Sequence, residues 1–217
     1  MTTPFYVAPE QMMKDRADYA RKGIARGRSL VAMSYADGIF ICAENPSSTL
    51  HKVSEIYDRI GFAGVGKYNE FDQLRIAGIR HADLKGFTYS REDVEARSLA
   101  NNYAQMLGQS FTHEMKPMEV EILVAEITDT PGEEQMFHIL YDGTVMDTTN
   151  FVVLGGDSEA IADRVAASFK AGLPREEALE IARASLAGSE RTLENDDLEI
   201  AMLDRTLGRR TFTRWEP

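Results

Sequence analysis

Apolar and polar residues follow two different periods along the chain, and each change of period marks a boundary between strands and helices. Residues 9–26 begin with Pro9 near a first turn and continue with helix-forming residues, which is typical of a helix. Two apolar runs follow at 29–35 and 38–43, joined through Asp37-Gly38. Apolar runs that meet at Asp-Gly predict a β-hairpin.

The rest of the chain repeats this order of strands followed by a pair of helices. Further strands are predicted at 52–57, 60–66, 118–127, 136–141, 151–154, 198–203 and 209–215, and helices at 67–85, 91–113, 157–171 and 174–187. Segregated blocks of strands and helices favour α+β layering over a parallel βαβ sheet. Two antiparallel sheets, each covered by one helix pair, would bury every apolar face. We therefore expect a four-layer αββα sandwich with an additional N-terminal helix.

Domain organisation follows from the absence of two signals. The sequence contains no internal repeat and no linker rich in Pro, Gly or Ser, so nothing divides it. We expect a single domain over 1–217, consisting of a tail at 1–8, a helix at 9–26 and the sandwich at 29–217.

Charge and composition narrow the possible partners. The net charge is −11, which repels phosphate backbones and anionic membranes, so neither nucleic acid nor a membrane is an expected partner. No apolar run approaches the roughly 18 to 20 residues that span a bilayer, and residues 1–10 lack the basic-then-apolar order of a signal peptide. We expect a cytoplasmic protein. Cys42 is the single cysteine, and its apolar surroundings predict a buried structural thiol.

Residues 61–68 satisfy the spacing G-x-x-x-x-G-K of a phosphate-binding loop, between a predicted strand and a predicted helix. Such a loop next needs Ser or Thr to bind Mg²⁺, and this chain has Tyr68. We interpret the glycines as close-packing positions and Lys67 as the first residue of a helix. A nucleotide-binding module remains an alternative that ATP-dependent stabilisation would test.

Histidines and acidic residues give no metal pattern. The four histidines lie on separate predicted elements without the spacing of a zinc site. The acidic run 194–197 lacks the ordered glycine and terminal glutamate of a calcium loop. We therefore predict no metal and no other cofactor.

Six fragments carry a resemblance to a known family, through their order and spacing along nearly the whole chain. They are PEQ at 9–11, YARKGIARG at 19–27, AENPS at 43–47, HKVSEIYDR at 51–59, GKYNEF at 66–71 and KP at 116–117. The chain resembles the α-type, actinobacterial branch of the proteasome family, which shares its fold with the N-terminal-nucleophile hydrolases. The resemblance implies a non-catalytic subunit whose heptameric rings flank the catalytic β-type rings and gate the passage of substrate into the proteolytic chamber.

Catalytic members of the family use a processed N-terminal threonine, whose hydroxyl attacks and whose α-amine is the base. The equivalent strand start here is Arg28-Ser29, behind a predicted helix, where no α-amine is available. Glu44 falls where catalytic relatives keep an acidic partner, and we interpret it as a fold remnant or a salt-bridge member. Removal of Met1 would expose Thr2, in a segment too unanchored to hold a nucleophile. A catalytic N-terminal-nucleophile peptidase, with its mature terminus at Thr2 or near residues 27–28, is the alternative.

The resemblance also assigns a docking residue and a gate. Lys52 aligns with the lysine that pairs with the C-terminal carboxylate of an activator tail, and a lysine suits this role as a mobile point charge. Arg26 and Arg28 are candidate neighbours in the same pocket, while the residue type alone would make Lys52 a solvated lysine. The expected activators are a ring ATPase that recognises tagged proteins or an ATP-independent cap. The expected gate is formed by Pro4, Phe5, Tyr6, Val7 and Ala8.

Overall fold

The computed structural model describes residues 8–215 as five α-helices and two five-stranded sheets. The helices are α1 (Pro9–Ala25), α2 (Tyr68–Thr88), α3 (Ala96–His113), α4 (Ser158–Ser168) and α5 (Arg175–Ala187). The strands are β1 (Leu30–Tyr35), β2 (Gly38–Glu44), β3 (Val53–Tyr57), β4 (Ile60–Gly66), β5 (Val120–Glu126), β6 (Gln135–Ile139), β7 (Val145–Thr148), β8 (Phe151–Leu154), β9 (Leu198–Asp204) and β10 (Phe212–Arg214).

Every strand pairing between neighbours is antiparallel. One sheet has the order β10-β9-β2-β1-β8, and the other has the order β3-β4-β5-β6-β7. The predicted hairpin is β1–β2, in which Tyr35 pairs with Gly38 across the turn. Strand β2 is buried along its whole length because it lies inside its sheet with a second layer on each face.

Three apolar cores define the four layers. Between the two sheets, alternate residues of β1 and β2, such as Leu30 and Ile41, meet residues of β4 and β5, such as Val65 and Leu123. The opposite faces of β1 and β2 pack on α4 and α5. The outer face of the second sheet packs on α2 and α3. Since side chains alternate across a strand, each sheet supplies two of these cores, and the predicted αββα sandwich is confirmed.

Helix α1 lies against the sandwich instead of joining either helix pair. Ala20 and Ile24 are 0% and 2% exposed within the core between the sheets. The Arg16 guanidinium donates to the carbonyl groups of Ser110, Phe111 and Glu114 at the end of α3, at 2.5–3.1 Å. The last carbonyls of a helix lack a full set of backbone partners, and Ser110 also accepts from the Glu114 backbone at 3.2 Å. Arg16 therefore supplies further donors to the end of α3 and links α1 to it.

Three differences from the predicted elements concern strand β7, the start of α3 and the C-terminal strand. Strand β7 was not predicted, because its residues are mostly exposed and have no alternation of apolar residues. The predicted helix 91–113 begins at Ala96, after a 3₁₀ helix at Arg91–Asp93. The predicted strand 209–215 is shortened to Phe212–Arg214, and Trp215 after it packs edge-on against Phe40 at 6.3 Å between ring centroids.

Candidate functional site

Lys52 lies one residue before β3, where its backbone and its side chain are held by different elements. The backbone N–H donates to Glu199 Oε2 at 2.7 Å. The side-chain amine crosses to the segment between α1 and β1, where it donates to the carbonyl oxygen of Arg28 at 2.6 Å. Of the three predicted docking residues, Lys52 and Arg28 are therefore in contact.

Glu199 of β9 organises the chain on both sides of Lys52, although its side chain is only 8% exposed. Its carboxylate accepts from the backbone of Val53 at 3.2 Å, from Asn45 Nδ2 at 2.8 Å and from Arg214 Nη1 at 2.7 Å. His51 Nδ1 lies 3.3 Å away. Sequence reasoning missed Glu199, because it lies far along the chain and no motif surrounds it.

Glu44, at the end of β2, is buried between two arginines. Arg28 donates to Oε1 of this carboxylate, and Arg191 donates to Oε1 and Oε2 at 2.8 and 3.2 Å. The Arg191 guanidinium also donates to the Leu186 carbonyl at 2.9 Å. The Glu44 side chain is 4% exposed, whereas both arginines are about half-exposed at 52% and 50%. Its interpretation as a salt-bridge member is confirmed, and Arg191 is a partner that the sequence did not reveal.

The Lys52 amine is consequently short of negative partners. Burial lowers the pKa of Lys52 to about 8, and Arg28 adds to this effect, while Glu44 and Glu199 act against it. Both of those carboxylates are engaged by arginines, and within residues 8–215 the amine forms no ion pair. A single backbone carbonyl therefore holds a group that remains able to bind an anion.

Arg26 lies elsewhere, at the C-terminal end of α1. Its backbone N–H donates to the Gly23 carbonyl at 3.3 Å, and its exposed side chain lines a cavity of about 440 Å³. Lys67 and Glu119 share that cavity, and Lys52 does not. Arg28 lines a different cavity of about 390 Å³, which it shares with Glu44. Within one chain the three predicted docking residues thus do not line a common cavity.

The start of β1 is enclosed by its neighbours. Ser29 is 8% exposed, and its carbonyl accepts from the Glu44 backbone at 3.1 Å. Gly155 has a φ of +118° and packs so closely on Ser29 that a Cβ there would overlap it. On its N-terminal side Ser29 follows α1, whose residues enter the core between the sheets.

Of the predicted gate, only Ala8 is among the described residues. It is exposed, and it occupies the N-cap position of α1, where its carbonyl accepts from the Met12 backbone at 3.0 Å. Pro4, Phe5, Tyr6 and Val7 lie outside the described residues, as does Thr2.

The segment that mimics a phosphate loop forms strand β4, which is paired on both sides. At Gly64 a Cβ would come within 2.7 Å of the Phe71 ring, and Gly66 has a φ of +100° beside the Glu119 carbonyl. The glycines therefore allow close packing, and Lys67 precedes α2 as its N-cap.

The remaining candidates are the single cysteine, a metal-binding cluster and a membrane-spanning helix. Cys42 is fully buried, and burial raises the pKa of its thiol to about 12. Residues 8–215 contain no cluster of three or more His, Cys, Asp or Glu side chains placed to hold a metal ion. In the same range no helix combines the length and the apolar character needed to cross a bilayer.

The layered fold and the enclosed strand start agree with one family of proteins. The family model described as "Proteasome subunit" matches residues 24–203, which is most of the chain. The chain belongs to the proteasome subunit family.

Its relatives define the branch. It is 65% identical to the "Proteasome subunit alpha" of Acidimicrobium ferrooxidans, over 100% of this chain and 93% of the relative. It is 55% identical to the proteins of the same name from Xylanimonas cellulosilytica and Acidothermus cellulolyticus, over 99% of this chain and 92% and 94% of the relatives. The resemblance to the actinobacterial α-type branch is therefore confirmed.

Proposed function

We propose that the chain works as a single-domain, non-catalytic gating subunit of a 20S proteasome core in the cytoplasm. Seven copies form a ring, two such rings flank a pair of catalytic β-type rings, and unfolded or tagged substrate proteins pass through without being cut in this subunit. The observation that carries the proposal is helix α1, whose Ala20 and Ile24 are buried between the sheets. This helix precedes the strand at which a catalytic relative would begin.

The chemistry around Ser29 supports a subunit without a threonine-type active site. An N-terminal nucleophile needs a free α-amine as its base, whereas residue 29 is joined through a peptide bond to the segment after α1. The nearby carboxylate of Glu44 is bound by two guanidinium groups and is not free to orient a base.

Docking of an activator is assigned to Lys52. A tail carboxylate that approaches its amine would replace a neutral carbonyl partner by an ionic one, and such charge-assisted hydrogen bonds are the stronger kind. Glu199 fixes the backbone beneath this amine, so the charge is presented from a rigid strand start. Arg26 and Arg28 line two separate cavities, and both are proposed to contribute to a pocket completed by the neighbouring subunit.

Residues 1–8 are proposed as the gate. Ala8 occupies the N-cap position of α1, so residues 1–8 directly precede a folded element. Seven copies of Pro4, Phe5 and Tyr6 would converge on the ring axis and close it by packing together. Deletion of residues 2–8 is expected to speed the hydrolysis of peptides by the assembled particle, without changing assembly.

The test of the whole proposal is native mass spectrometry of this chain alone and with a catalytic β-type subunit, followed by peptide hydrolysis. The expected result is an inactive chain that forms a 28-subunit particle with the β subunit. A chain that hydrolyses peptides alone and does not assemble with β would instead establish the catalytic alternative.

The docking role has its own experiment. Binding of a peptide that ends in an activator tail is measured on assembled particles carrying Lys52→Ala, with Lys170→Ala as the matched control, since Lys170 is an exposed lysine after α4. We expect binding to fall about tenfold or more with Lys52→Ala, the size of one lost charge-assisted hydrogen bond. Equal binding by both variants would remove Lys52 from the docking site.

A further inference from the structure

Lys52 differs from Lys116, another partly buried lysine, in what surrounds its amine. Lys116 Nζ lies 2.6 Å from Glu70 Oε1 and 2.8 Å from Glu119 Oε2. Lys52 Nζ has a backbone carbonyl at 2.6 Å and no ion pair within residues 8–215. Glu44 and Glu199 are the carboxylates whose charges act on Lys52, and both form ion pairs with arginines.

This arrangement leaves the nitrogen lone pair more available in Lys52 than in an ordinary lysine. An ammonium group cannot attack an electrophile, because its lone pair holds a proton. Desolvation favours the neutral amine, and burial lowers the pKa of Lys52 to about 8. Burial also acts to lower the pKa of Lys116, but its hydrogen bonds to Glu119 and Glu70 raise that pKa above its usual value.

We propose that Lys52 is an acylation site, at which its neutral amine takes an acyl group from a thioester donor. The nitrogen attacks the carbonyl carbon, a C–N bond forms, the C–S bond breaks, and the sulfur leaves as a thiolate with the electron pair of that bond. The proton lost from nitrogen passes to water. The product is an uncharged amide whose remaining N–H can still donate to the Arg28 carbonyl.

The consequence rests on the proposed docking function. An acylated Lys52 carries no positive charge, so it offers no ionic partner to a tail carboxylate. Modification of one side chain would therefore disable docking without disturbing the fold, because the backbone of Lys52 stays bound to Glu199.

The experiment uses the full chain and a small thioester, S-acetyl-N-acetylcysteamine, at several pH values between 6.5 and 9.5. Peptide mass spectrometry after digestion measures the initial acetylation rate at each lysine. Lys170 is the exposed control, and Lys116 is the ion-paired control. At pH 7.5 we expect Lys52 to react about tenfold faster than Lys170, because more of its amine is neutral. Its rate is expected to level off above about pH 8.5, because its pKa is about 8.

Two outcomes would overturn the inference: a Lys52 rate no higher than that of Lys170 at pH 7.5, or a Lys52 rate that keeps rising up to pH 9.5. Because acetylation is read by mass, this result does not depend on docking. The docking consequence is read separately, as binding of the tail peptide to particles carrying Lys52→Gln, which resembles the acylated side chain, and Lys52→Arg, which keeps the charge. Selective acetylation together with unchanged binding by Lys52→Gln would refute the docking role and leave the acylation site standing.

Discussion

Lys116 and Lys52 lie in two regions of one fold that differ in the partners they give to a lysine amine. Around Lys116, which precedes β5, the carboxylates of Glu70 and Glu119 both face the amine. Around Lys52, which precedes β3, the carboxylates of Glu44 and Glu199 face arginines. In the first region the lysine forms ion pairs with both carboxylates. In the second region the carboxylates form ion pairs with arginines and not with the lysine.

The difference separates a charge that holds elements together from a charge that is available to a partner. Lys116 links the segment before β5 to the start of α2 through its ion pair with Glu70. The Glu70 carboxylate strengthens this link, because it also accepts from the backbone N–H of Glu119 at 2.7 Å. The Lys52 amine donates one hydrogen bond within residues 8–215, to the Arg28 carbonyl. A partly desolvated charge without an ion pair is unfavourable in isolation, and an incoming anion would relieve that cost.

The largest loss of stability is expected when Glu199, which holds the backbone around Lys52, is replaced. Glu199→Ala leaves several buried donors and Arg214 without their acceptor, and we expect it to lower the free energy of unfolding by about 3 kcal/mol. Urea denaturation at a fixed protein concentration measures it. Glu199→Gln keeps one acceptor oxygen and is the control; equal losses in the two variants would contradict this account of the site.

The corresponding change in the Lys116 region is Glu70→Ala. It removes the acceptor of the Glu119 backbone N–H and one of the two carboxylates that face Lys116, so we expect a loss of about 2 kcal/mol in the free energy of unfolding. Chemical denaturation is again the measurement, with Glu70→Gln losing less. A loss below about 0.5 kcal/mol would show that this cluster is dispensable.

The two lysines provide the direct test of the comparison. Lys116→Met removes a paired ammonium that is 39% exposed, and after allowance for solvent screening we expect a loss of about 1 kcal/mol. Lys52→Met removes an unpaired ammonium and is expected to leave the free energy of unfolding at pH 7 unchanged or slightly higher. A greater loss for Lys52→Met than for Lys116→Met would reverse the comparison.

The smallest effect is a pH dependence. The pKa of Lys52 is about 8 in the folded chain and about 10.4 in an unfolded one. Between these values the unfolded chain binds more protons, so the contribution of Lys52 to the free energy of unfolding rises with pH. Between pH 8 and 9 we expect the wild type to gain about 1 kcal/mol or less relative to Lys52→Met. Parallel pH profiles for the two proteins would show that the pKa of Lys52 is not lowered.

Most of the fold could be predicted from periodicity and turn signals. The β1–β2 hairpin follows from Asp37-Gly38, and the buried faces of α2 and α3 follow from the spacing of residues such as Leu74 and Tyr103. Strand β7 could not be predicted, because an exposed edge strand is defined by its pairing with β6 and carries little pattern of its own.

In the candidate site, only the residues that lie in the fragments resembling the family could be predicted. Lys52 and Glu44 were identified by alignment with relatives, but their partners Glu199 and Arg191 come from β9 and from the segment after α5. Contacts between residues so far apart in the chain are fixed by the packing of the sheets, and no local spacing encodes them. The electrostatic state of Lys52 depends on those contacts, so it could not have been inferred from the sequence.

The three hydrogen bonds of Arg16 to the end of α3 have a mechanical consequence. A force applied at Ala8 acts first on α1, and the Arg16 guanidinium group transmits it to the C-terminal end of α3. Helix α1 is therefore anchored to the outer helix layer near its middle, so a force on its first turn is carried by two helices and not by one.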